Sequence, residues 1–152
     1  MRRVQLVVVS LLVGATLAGC GNGASVEKGG NGAVLLVAGE DVETPTDQVS
    51  GVVLMVGDCV GLHEEGAADP SVAVWVHGTT ITKDEIPVLT LPVGDQLAVG
   101  DSFTGGGTHF DRADLPDSFP EIPTGCPGED IVFAYPMNAA SAPVADALGL
   151  AE

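Results

Sequence analysis

The sequence predicts a small all-β domain, an antiparallel barrel or sandwich, on three observations. Apolar, β-branched runs of three to six residues recur between positions 49 and 136; Gly, Pro or Asp bounds each one; and no helical periodicity runs through them. The runs are Val52 to Val56, Val60 to Leu62, Val72 to Val76, Ile86 to Leu91, Leu97 to Val99 and Ile131 to Tyr135. Six such strands in about 90 residues make one small domain with a modest core, and closing or stacking its sheet would hide the edges.

Turn chemistry agrees with this reading. Val-Gly-Asp occurs at Val56 to Asp58, Val93 to Asp95 and Val99 to Asp101, each time beside an apolar run. Glycine accepts the positive φ of tight hairpin turns, so these tripeptides are punctuation rather than a repeat architecture. Gly105-Gly106-Gly107 suits a bend or bulge in the sheet.

Ahead of the domain stands an export signal over 1–19. Met1-Arg2-Arg3 is a short basic start, and Leu6 to Leu17 is a mostly apolar stretch that ends at small Ala18 and Gly19. It is shorter than the roughly 18 residues of a membrane span, and Ser10, Gly14 and Thr16 weaken it further, so removal is expected rather than retention. Leu17-Ala18-Gly19-Cys20 resembles the lipobox of bacterial lipoproteins. The resemblance implies cleavage before Cys20 and a lipid on its thiol. Each buried methylene contributes about 0.8 kcal/mol, so two or three acyl chains hold a soluble domain at the extracytoplasmic face of a membrane.

Cysteine counting follows from that. With Cys20 given to lipid, Cys59 and Cys126 remain as an even pair in an oxidising compartment and are expected to form one disulfide. Neither a Cys-x-x-Cys nor a nearby histidine pair supports zinc or redox chemistry.

The whole chain carries a formal charge of −16, with five basic and 21 acidic residues. Loss of Arg2 and Arg3 leaves three basic residues against the same 21 acidic ones, or −18. Such a domain repels phosphate backbones and anionic head groups, which argues against nucleic acid as a partner. Solubility explains the charge, and attraction of cations or basic partners is the sharper alternative.

Residues 20–48, rich in Gly, Asn, Thr, Pro and acids, read as a lipidated flexible tether, with Val34-Leu35-Leu36-Val37 as an optional edge strand. The all-β domain is expected over 49–136. The Ala-rich tail, 137–152, reads as one weak helix or as disordered. Cys59-Val60-Gly61-Leu62, Trp75 through Thr80, Val99-Gly100-Asp101 leading to Gly105-Gly106-Gly107, and Pro123 to Cys126 together resemble a pattern of small secreted actinobacterial proteins. This resemblance spans most of the domain and implies no assigned activity. It departs from the pattern at Val76, where a proline follows the tryptophan in those proteins.

Candidate chemistry is sparse. Gly100-Asp101-Ser102 after an apolar run resembles the nucleophile block of GDSL/SGNH hydrolases, but only His109 lies downstream, and the family's scaffold is larger. A turn is the preferred reading of Ser102. His63-Glu64-Glu65 lacks the second histidine of a helical zinc site and reads as a polar strand end or loop; His77, with no acid near it in sequence, reads as structural. Asp111, Asp114, Asp117 and Glu121 around Phe110 and Phe119 offer oxygen ligands for Ca²⁺, although their spacing is not that of an EF-hand and a solvated acidic loop is preferred.

The function expected is that of a membrane-anchored lipoprotein, a non-enzymatic binding or envelope module for an unidentified protein or small molecule, with no cofactor. The alternatives are a small serine hydrolase and a Ca²⁺-dependent binding module built on the acidic loop.

Overall fold

The computed structural model describes residues 23–137. They form ten strands: β1 (Ser25–Lys28), β2 (Val34–Val37), β3 (Asp47–Val56), β4 (Cys59–Glu64), β5 (Ser71–Trp75), β6 (Thr80–Ile81), β7 (Val88–Thr90), β8 (Gln96–Ala98), β9 (Ser102–Asp111) and β10 (Asp130–Pro136). The expected all-β class is found, and all six apolar runs supply strand residues.

Five strands close on themselves in the order β3-β4-β5-β10-β9 and back to β3. All neighbours in the ring are antiparallel except β5 and β10, whose register pairs Val72 with Ile131 and Trp75 with Ala134 in parallel. The barrel is therefore not wholly antiparallel. Its order is that of five-stranded Greek-key barrels of the OB type. A short meander, β6-β7-β8, fills the crossover between β5 and β9.

Strand alternation sorts the side chains into two apolar layers. Val49, Val53, Val60, Leu62, Ala73, Trp75, Phe103, Val132 and Ala134 fill the barrel, and Leu89, Leu91 and Leu97 of the meander pack onto them. Trp75 and Phe103 meet edge to face, their ring centroids 5.4 Å apart. Outside the barrel, Val72, Val74, Ile131 and Phe133 are covered by Phe119, Cys126, Leu115 and Ile122 from the loop that joins β9 to β10. Strands β5 and β10 are thus buried on both faces, which is why they read as unbroken apolar runs instead of alternating ones.

The N-terminal hairpin changes the expected domain boundary. β1 pairs with β2, and β2 is wedged between β4 and β5, where Val34 meets Cys59 and Leu36 meets Val74. All four residues of β2 are buried. The segment expected as tether over 20–48 is therefore narrowed: 20–22 fall outside the described residues, and from β1 onward the chain belongs to the domain. The apolar run Val34 to Val37 is core rather than an optional edge because the splayed ends of β4 and β5 leave an apolar seam that it fills. The expected tail lies outside the described residues from 138 onward.

The triple glycine also differs from expectation. Gly105, Gly106 and Gly107 lie in the middle of β9, which keeps an unbroken register with β3 on one side and β10 on the other. Gly105 and Gly107 make room instead. A Cβ at Gly105 would collide with the Tyr135 carbonyl oxygen, and one at Gly107 would collide with Val49 Cγ2. At the tight β3–β4 turn, Gly57 has φ +60°, as the Val-Gly-Asp signal predicts.

Candidate functional site: the polar mouth of the barrel

The inward alternation of four strands ends in polar residues at one end of the barrel. Leu62 is followed by Glu64 on β4, Ala73 preceded by Ser71 on β5, Gly107 followed by His109 on β9, and Val132 preceded by Asp130 on β10. These four side chains form a continuous chain across the barrel opening. The Ser71 hydroxyl donates to Asp130 Oδ2 at 2.5 Å, that oxygen lies 2.8 Å from His109 Nδ1, and His109 Nε2 lies 2.7 Å from Glu64 Oε2. Ionised carboxylates only accept, so both histidine contacts are hydrogen bonds when the ring carries a proton on each nitrogen.

A cleft of about 400 Å³ opens on this mouth, with Asp69 and Glu129 beside the four residues named. Its character is acidic: Glu64, Asp69, Glu129 and Asp130 line it, with no Lys or Arg among the lining residues. The arrangement does not resemble a nucleophile with its base. Ser71 is buried, and its proton is directed at a carboxylate rather than at the imidazole. Sequence reasoning missed the cluster because its members come from positions 64, 71, 109 and 130, and only the strand registers bring them together.

Ser102 and His109 stand near opposite ends of β9, about 23 Å apart along an extended strand. The fold-back that would join them is replaced by continuous pairing. Ser102 is exposed and pairs across the sheet with Val52, which in turn pairs with His63, so the serine and that histidine are separated by a whole strand, about 10 Å. Both line a shallow cleft of about 530 Å³ whose floor includes Val52 and Phe103. His63 Nε2 lies 3.1 Å from the Ala67 carbonyl oxygen across the β4–β5 turn. His77 finds the acid that its sequence neighbourhood lacks, with Glu40 Oε1 at 3.3 Å.

The acidic loop is organised around a guanidinium. Asp111 caps a 3-10 turn, Arg112–Asp114, by accepting from the Ala113 amide at 2.9 Å. Arg112 then donates through Nη1 to the carbonyls of Cys126 at 2.5 Å and Gly128 at 3.2 Å, and through Nη2 at 3.4 Å to those of Ile122 and Pro123. The loop's backbone oxygens thus converge on a side-chain cation. Asp111, Asp114, Asp117 and Glu121 do not converge, and among the described residues no group of three or more His, Cys, Asp or Glu is placed to hold a metal ion.

Cys59 and Cys126 are joined, with their Cα atoms 5.2 Å apart, as the cysteine count predicts. The bond pins this loop to the start of β4, beside the β3–β4 turn, where the Asp58 amide donates to the Gly125 carbonyl at 2.9 Å. The loop lays Leu115, Phe119 and Ile122 over the outer apolar layer beside β2, β5 and β10.

No family model matches the chain, and neither the curated proteins nor the solved structures yield a match.

Proposed function

We propose that the chain is a lipid-anchored extracytoplasmic module that binds a basic or cationic partner at the acidic mouth of its barrel and performs no covalent chemistry. The observation that carries this reading is the Cys59–Cys126 disulfide. Such bonds form and persist in oxidising compartments, which agrees with the export signal and with lipid on Cys20. Binding rather than catalysis is favoured because the mouth's polar groups are satisfied by one another. A nucleophile would need a neighbouring base and donors for a developing oxyanion.

Localisation is tested by Cys20→Ser. The variant is expected to leave the membrane fraction or to accumulate unprocessed, and a variant as firmly membrane-bound as the native chain would refute the anchor. For the absence of covalent chemistry, a broad fluorophosphonate probe is expected to leave Ser102 and Ser71 unlabelled. Stoichiometric labelling of either serine, abolished by His63→Ala or His109→Ala, would make the hydrolase alternative the better one.

A further inference from the structure

We infer that the barrel is held close against the lipid surface in one orientation, with the turns at 76–79 and 92–95 toward the bilayer and the polar mouth turned away from it. The inference rests on the proposed lipidation of Cys20 and adds to it a membrane-facing end and an outward-facing end.

Chain length sets the distance. Cys20 lies only five residues before Ser25, the first residue of β1, and five residues span at most about 18 Å when fully extended. A tether over 20–48 would have let the domain sample any orientation. With β1 and β2 built into the barrel, that reach shrinks to five residues, and the end of the barrel that receives β1 is held nearest the lipid.

Strand registers identify that end. Ser25 pairs with Val37, and Val37 pairs with Trp75, so the chain enters beside the end of β5 that lies farthest from Ser71. The mouth, with Ser71, Asp130, His109 and Glu64, is at the other end of the same strands. The entry point is itself in contact with the turns. A Cβ at Gly23 would stand 3.4 Å from the His77 ring, and one at Gly78 would stand 3.3 Å from Pro92 Cγ. The first turn is closed by the Thr79 amide on the Val76 carbonyl and the second by the Gly94 amide on the Leu91 carbonyl. Val93 is exposed on the second turn and Met137 at the end of β10, both on this side of the barrel; carboxylates stand at both ends, with Glu40 beside His77 and Asp95 on the second turn, so the orientation rests on where the chain enters.

Energy transfer from tryptophan to membrane tests the orientation on the full chain, because Trp75 is its one tryptophan and lies at the end of β5 assigned to the lipid side. The protein, lipidated in cells, is reconstituted into vesicles of phosphatidylethanolamine and phosphatidylglycerol that carry dansyl on a fraction of the head groups. Transfer from Trp75 is expected to be strong. Moving the donor to the mouth side with Trp75→Phe and Glu65→Trp is expected to reduce transfer to less than half. A second arm leaves the core untouched: inserting a flexible Gly/Ser segment of about 20 residues after Asn22, with a mean reach of ~25 Å, is expected to lower transfer from Trp75 sharply. Equal transfer from positions 75 and 65, or transfer indifferent to the insertion, would overturn the orientation. Failure of the anchor reads differently, since a native chain that does not stay on the vesicles, or a Cys20→Ser chain that does, refutes lipidation itself.

Discussion

Arg112 shows how one side chain can replace a bound cation. Its guanidinium lies under the β9–β10 loop and donates to four backbone oxygens, all of them at or near the point where the disulfide pins the loop. A hydrogen bond from a charged donor contributes roughly 1.5–3 kcal/mol, and the two Nη2 contacts at 3.4 Å are weak, so Arg112→Gln is expected to cost about 2 kcal/mol. Lysine cannot restore the planar fork, and Arg112→Lys should recover less than half of the loss. Chemical denaturation of the three proteins measures both quantities. Equal stability of all three would show that the loop is held by its apolar contacts and the disulfide alone. His109 is a contrasting case, since it is partly exposed and solvent weakens its contacts with Glu64 and Asp130. Replacing it by glutamine is expected to change stability by about 1 kcal/mol or less while altering the mouth.

At the scale of elements, β9 carries the sharpest test of the barrel. Gly106 and Gly107 are adjacent in sequence but face different surroundings. A Cβ at Gly107 would collide with Val49 and the Phe133 carbonyl, whereas one at Gly106 meets nothing closer than 3.5 Å. Gly107→Ala is therefore expected to destabilise by about 1–3 kcal/mol through overpacking, and Gly106→Ala to be nearly neutral. Thermal unfolding of the pair decides it, and equal effects would contradict the packing between β3 and β9. These glycines also show where sequence reading stopped. Runs such as Val72 to Val76 and Ile131 to Tyr135 were legible as strands because burial on both faces makes them apolar throughout. Strand β9, Ser-Phe-Thr-Gly-Gly-Gly-Thr-His-Phe-Asp, was not legible, because close neighbours on both sides demand small residues where a strand signal would need bulky ones. β2 was visible as an apolar run, but its place in the core depends on the gap between β4 and β5, which no local pattern encodes. The disulfide could be read by counting; the mouth could not, since its residues are scattered over the chain.

Across the whole molecule, the disulfide and the N-terminal hairpin fasten the outer layer onto a barrel that strand pairing closes. The bond joins residues 67 apart in sequence, and the chain-entropy model assigns it about 4 kcal/mol, a large fraction of what a domain of this size possesses. The double variant Cys59→Ser, Cys126→Ser is expected to lose about that much and to become protease-sensitive first in the β9–β10 loop. Removal of 23–38 is expected to abolish folding, because it uncovers the seam between β4 and β5; a deleted chain that kept the native strand content would return this segment to the role of a tether.

The central claim joins an address to a fold: a disulfide-bonded barrel proposed to be carried on a lipidated Cys20. Intact and peptide mass spectrometry of unreduced protein isolated from membranes tests both parts at once. The account predicts a chain that begins at Cys20, with diacylglycerol on the residue-20 thiol and Cys59 linked to Cys126. A chain that retains residues 1–19, or an unmodified Cys20 alongside free thiols at 59 and 126, would contradict it.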